Sequence, residues 1–138
     1  MVDAEFVLPW VQKAQNDIAT AKHLAETMRP MPSEIICFHC QQAAEKYLKA
    51  FLVHNDNEPP KTHDLIELVK LCGGFDTDFS ILTTKCEYLL PFAVHARYPG
   101  ASDPDDEDAR RALAFAQDVI TFVTARLPLR SGQGSTTA

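Results

Sequence analysis

Glycine is scarce in this chain, with five residues in 138, and none of the glycine signatures of phosphate or acyl chemistry is present. A P-loop, a dinucleotide GxGxxG fingerprint and a GxSxG nucleophile elbow are all missing, which excludes those three sites. No stretch has the ~20 consecutive apolar residues that a membrane-spanning helix needs. The strict alternation that marks a half-buried strand is missing too, and so are internal repeats and low-complexity tracts. Cationic residues are the minority: 13 Lys and Arg stand against 19 Asp and Glu, for a formal net charge of −6. That excludes a protein built mainly to coat nucleic acid, whose binding face must be basic, and leaves room only for a small basic pocket. The first ten residues, MVDAEFVLPW, lack the charge and the apolar run of a signal peptide. The cytoplasm is therefore the expected compartment, and the four cysteines, Cys37, Cys40, Cys72 and Cys86, are expected to be reduced.

What the chain does have is helix-forming sequence, 46% of it apolar. Its longest run free of Gly and Pro is Ser33 to His54. Two stripes follow the i, i+3/i+4, i+7 rule there: Cys37, Phe38, Gln41, Ala44, Leu48 and Leu52, and Cys40, Ala43, Tyr47, Phe51 and His54. A helix apolar round most of its circumference belongs at the centre of a domain. Its remaining polar strip is narrow, comprising Gln42, Glu45, Lys46 and Lys49; Glu45, Lys46 and Lys49 either line a groove or are simply a solvated face. Glu45 and Lys49 also form a favourable i,i+4 pair.

Four further segments surround this one. A helix is expected from Pro9, with Trp10, Ala14, Ile18, Ala21, Leu24 (or Ala25) and Met28 on one face and Asp17 on its edge, where a buried carboxylate needs a partner. Arg29 to Pro32 is a tight link of the kind that joins antiparallel helices. A short helix follows over Asp64 to Leu71, stopped by Gly73-Gly74. The next runs from about Asp76 to Val94, with a kink expected near Pro91. The last starts at Asp103-Pro104, carries Ala109, Leu113, Ala116, Ile120, Val123 and Leu127 as its seam, and ends at Pro128. Phe115 and Phe122 on its flank look surplus to a single core. The expected fold is all-α: an up-and-down antiparallel bundle of four main helices plus one short helix. It forms one domain over residues 1–128, followed by a disordered polar tail over 129–138.

Three groups invite chemistry. Cys37-x-x-Cys40 has no further ligands at zinc spacing and no preceding strand, so packing is the favoured reading. The acids from Asp103 to Asp108 are explained by a helix start, so no metal site is assigned. The segment His95-Ala-Arg97-Tyr98-Pro99-Gly100 places a guanidinium, an imidazole and a phenol together, residue types that hold phosphate and stack on a base. The alternative is that Arg97 pairs with helix C-terminal carbonyls and Tyr98 packs in the turn.

The segments CFHCQQAAEKYLKAFLV, PPKTHDLIELV, LLPFAVHARYPG and DEDARRALAFAQDVITFV resemble those of a HEPN domain, from about Trp10 to Leu127. The resemblance implies a helical bundle, frequently dimeric, with a nucleotide- or RNA-related role and a separate minimal nucleotidyltransferase as partner, in arrangements that include toxin–antitoxin modules. Ribonuclease members of that family carry Arg, four to six residues, then His. Here Arg97 is followed by no His in range, and His95 precedes it. The expected function is therefore a non-catalytic module, without cofactor, that forms a homodimer and binds a nucleotide, RNA or a nucleotidyltransferase. Arg97 and Lys49 would meet phosphate, with Tyr98 or His95 on base or sugar and Glu45 lining the groove. Two alternatives stand beside it: an unconventional ribonuclease using His95 and Arg97, and a pure interaction module using the apolar arc of the last helix.

Overall fold

The computed structural model describes residues 3–93 and 103–128. Five α-helices make up the described chain: α1 (Ala4–Thr27), α2 (Ser33–His54), α3 (Leu65–Gly73), α4 (Thr83–Leu89) and α5 (Asp106–Thr124). No strand occurs among the described residues, and no helix among them is long and apolar enough to cross a membrane. Helix α2 has the expected bounds and is the axis of the bundle. Fifteen of its 22 residues are buried, and it packs against α1, α5 and α3.

Three boundaries differ from the sequence expectation. Helix α1 starts at Ala4 rather than Pro9, so Pro9 lies inside it. Proline forfeits one bond, to the Glu5 carbonyl, but both residues are exposed and water can satisfy that oxygen. Val7, fully buried in the extra turn, contributes about 1.5–3 kcal/mol of burial to hold it. Helix α5 starts at Asp106, not at Pro104. Asp105 is its N-cap and forms a capping box with Asp108, each side chain accepting from the other's backbone N–H at 2.8 and 3.0 Å. A cap at Asp103 would have needed Asp106 as its third-position acid. The Asp106 carboxylate instead accepts from the Ser33 hydroxyl at 2.8 Å, which ties the first residues of α2 and α5 together.

The third difference is the segment 76–93, expected as one kinked helix. It is a 3₁₀ helix (Thr77–Leu82), then α4, then a second 3₁₀ turn (Leu90–Ala93). Asp76 caps the first by accepting from the Asp78 N–H at 2.9 Å. Pro91 cannot donate to the carbonyl one turn back, so the α ladder gives way to the tighter 3₁₀ pattern there. Of the face expected to point inward, Phe79, Leu82, Cys86 and Leu89 are buried, while Ala93, in the second 3₁₀ turn, is half-buried. Helix α3 is capped by Asp64, which accepts from the N–H groups of Ile66 and Glu67. It does not end on a left-handed glycine: Gly74 has φ −68°, ψ −21°.

Phe115 and Phe122 are not surplus to the core. The Phe115 ring meets Tyr88 edge-on at 5.3 Å, and Phe122 meets Phe79 edge-on at 5.0 Å. Phe79 also packs on Phe51 at 4.4 Å, so α2, the 3₁₀ helix and α5 share one aromatic column. Both rings stay half-buried, so the chain itself covers part of the apolar arc on the last helix.

Candidate functional site

Gln41, Glu45 and Lys49 recur every four residues and so lie on one stripe of α2. The sequence left Glu45 and Lys49 either lining a groove or on a solvated strip. The structure buries them: Glu45 is 4% and Lys49 6% exposed. Helix α1 closes over this face from one side and the connector 55–64 from the other. An ion taken out of water costs several kcal/mol unless it is paired and fully hydrogen-bonded, and here the pairing is supplied. Lys49 Nζ donates to Glu45 Oε2 at 2.9 Å. His63, from the connector, lies with Nδ1 2.9 Å from Glu45 Oε1. Gln41 donates to the His63 carbonyl at 3.0 Å and accepts from Gln42 at 2.7 Å. The Lys49 ammonium also stands 5.9 Å from the centroid of the Trp10 ring on α1, a cation–π contact.

His63 is the part of this cluster that reaches solvent, its side chain 69% exposed. A carboxylate accepts only, so the hydrogen bond places the proton on Nδ1 and leaves Nε2 facing outward. A second carboxylate–imidazole pair sits nearer the start of α2. Asp17, the edge residue of α1, is buried and accepts from His39 Nδ1 at 2.9 Å and from Lys46. The partner demanded by its burial comes from α2. Gln15 donates to the Tyr47 hydroxyl beside it. The face as a whole can hold two imidazoles in a fixed tautomer, with Nε2 of His63 available to accept a hydrogen bond or to take up a proton.

The cysteines do no work of this kind. All four are free and buried. Burial pushes the thiols of Cys72 and Cys86 up to about 12 and raises Cys40 further. Cys72 Sγ donates to the Leu48 carbonyl at 3.4 Å. These are thiols, not thiolates, and they pack as small apolar groups. Among the described residues no three His, Cys, Asp or Glu side chains are placed to hold a metal ion.

Of the five expected site residues, the structure brings Glu45 and Lys49 together with each other. His95, Arg97 and Tyr98 lie outside the described residues. Sequence reading overlooked His63. Its signal was the every-fourth-residue recurrence of Gln41, Glu45 and Lys49, which is a buried polar stripe once Gln41 is counted with the charges rather than with the apolar set.

Compared with known families, the chain matches the HEPN domain over residues 7–127. It belongs to the HEPN family. Two solved structures share the HEPN bundle seen here. The protein TT1696 from Thermus thermophilus is 23% identical, with a TM-score of 0.74 over 88% of this chain and 98% of that one. ST0689, an archaeal HEPN homologue, is 20% identical, with a TM-score of 0.70 over 87% and 96%. At these identities the likeness is one of fold. No curated protein matches this HEPN chain in sequence. Its arginines (29, 97, 110, 111, 126 and 130) are none of them followed by His after four to six residues.

Proposed function

We propose that this HEPN chain is a non-ribonucleolytic module that forms a homodimer and binds a nucleotide, working beside a nucleotidyltransferase in a two-component, toxin–antitoxin type of arrangement. The observation that carries the ligand claim is the exposed His63 imidazole held on the buried Glu45 carboxylate at 2.9 Å. In its protonated form a histidine so held donates from Nε2 to a phosphate oxygen. Glu45 and Lys49 then act by bracing that donor and the Trp10 ring rather than by touching phosphate. His95, Arg97 and Tyr98 join the site on the strength of their residue types alone. Calorimetric titration with ATP, GTP and a short RNA is the test, on the wild-type protein and on His63→Ala and Arg97→Ala. Binding that weakens in both variants is expected. Absence of heat with every ligand, or wild-type affinity in both variants, overturns the site. Sedimentation at micromolar concentration and co-purification with a co-expressed nucleotidyltransferase test the two assembly claims.

One observation favours a second reading. A carboxylate-oriented imidazole open to solvent is also what a general base requires, so a ribonuclease acting without the family motif, with His95 and Arg97 contributing, predicts RNA cleavage lost in His63→Ala and His95→Ala. Intact RNA after incubation with the purified protein removes it.

A further inference from the structure

Where α2 ends, α1 and the connector leave a cleft of about 530 Å³, in the size range of small-molecule sites. Its walls are of two kinds. Phe6 and Trp10 on α1, with Val53 and Pro59, supply apolar and aromatic surface. Asp56 and Glu58 supply two carboxylates, both exposed, and neither has an ion-pair partner among the described residues. The carboxylates are not on a loose loop. The N–H of Asn57 reaches the Leu52 carbonyl and that of Asp56 reaches the Val53 carbonyl, both at 2.9 Å, which is the Schellman closure of a helix.

This pairing of surfaces selects for charge and for shape. Aromatic faces attract cations, and two unpaired carboxylates favour a positive ligand further. A hydrated metal ion gains nothing from Phe6, Trp10 and Val53, whereas a cation carrying a hydrocarbon body uses both walls. The Cα atoms of residues 56 and 58 are at most about 7 Å apart, so one short diamine can reach the carboxylates of both side chains. The Lys49 charge beside Trp10 does not oppose such a ligand, because Glu45 neutralises it at 2.9 Å. We propose that the cleft between Trp10 and the Asp56–Pro59 turn binds an aliphatic ammonium ion of the polyamine class. The claim shares Trp10 with the nucleotide reading but rests on neither His63 nor the segment around Arg97.

Trp10 is the chain's single tryptophan, so its emission reports the cleft directly. The experiment is a fluorescence titration of the whole protein with 1,4-diaminobutane. The uncharged 1,4-butanediol and N-acetyl-lysine amide are run in parallel, and circular dichroism monitors the fold. A saturable emission change is expected with the diamine and none with the diol. Asp56→Asn with Glu58→Gln should weaken the diamine by about tenfold, the sum expected of two exposed charge contacts. Asn keeps the left-handed turn at position 56, and Glu58→Gln alone serves if the double variant does not fold. An identical response to the diol, or undiminished affinity in the variants, overturns the site. Equal or tighter binding of the lysine amide assigns the site to a basic side chain of a protein and overturns the polyamine assignment.

Discussion

Nδ1 of His63 lies 2.9 Å from the carboxylate of Glu45, which joins a solvent-facing imidazole on a connector to a carboxylate buried in the central helix. Glu45 serves Lys49 through its other oxygen at 2.9 Å. One buried acid therefore holds two groups, an internal ammonium and a surface imidazole, and fixes where the connector 55–64 lies on α2.

Removing that acid should unfold the face. In Glu45→Ala, Lys49 is left without its carboxylate in a site that is almost fully buried, and breaking one half of such a pair costs about 3–5 kcal/mol. Replacing both, Glu45→Leu with Lys49→Met, removes the orphaned charge and should cost much less than the single change. Urea denaturation of the two variants at neutral pH measures the difference. Equal losses would mean that the pair is not coupled.

Alkaline pH should destabilise the fold through the thiols. Cys72 and Cys86 are raised from 9.0 to about 12 in the folded chain. Above pH 9 the unfolded thiols lose protons that the folded ones keep, so stability falls as pH rises from 9 towards 12. Each thiol contributes a slope of about 1.4 kcal/mol per pH unit. Below pH 9 the effect is absent. Urea midpoints at pH 8, 9 and 10 should show the break at 9, and Cys86→Val should make the decline shallower.

Acid acts at a different place. Asp76 is held below its ordinary 3.8 by its hydrogen bond from Arg126 and by the Asp78 backbone N–H. Arg126 Nε reaches Asp76 at 2.7 Å while its guanidinium lies over Phe122 at 3.6 Å. A depressed carboxylate stabilises the fold above its unfolded value, and that contribution is lost as pH falls below 3.8. Arg126→Met should therefore lower the urea midpoint at pH 6 and flatten its decline between pH 5 and pH 3. A parallel decline in variant and wild type would refute the role assigned to Arg126.

At the end of α2, Asp56 adopts φ 58°, the left-handed conformation that the Schellman position takes and that glycine adopts without steric penalty. Asp56→Gly should raise stability by up to about 1 kcal/mol, and Asp56→Val should lower it by about 1–2 kcal/mol. Thermal denaturation resolves both. The stabilised Asp56→Gly variant should at the same time lose affinity for 1,4-diaminobutane, because it keeps the turn and removes a carboxylate.

Much of the helical scaffold follows from local patterns that act within a few residues. The bounds of α2, the inward faces of α3 and α5 and the burial of the cysteines follow from a 3.6-residue period. The boundaries that shifted did so for non-local reasons. Val7 finds core to bury against, so α1 continues upstream of Pro9. Asp106 finds Ser33 on α2, so the α5 cap moves to Asp105.

The site divides along the same line. Sequence alone determined the helical class, the central place of Ser33–His54, the absence of the Arg–His ribonuclease spacing and the need of Asp17 for a partner, because each depends on residue type and short-range spacing. Only the tertiary structure decided that Glu45 and Lys49 are buried, that His63 is the group they present, and that Trp10 shares a cleft with Asp56 and Glu58. Those outcomes depend on which element covers a polar helix face, and that is set by the packing of α1 and the connector 55–64 against α2, not by the periodicity of α2 itself.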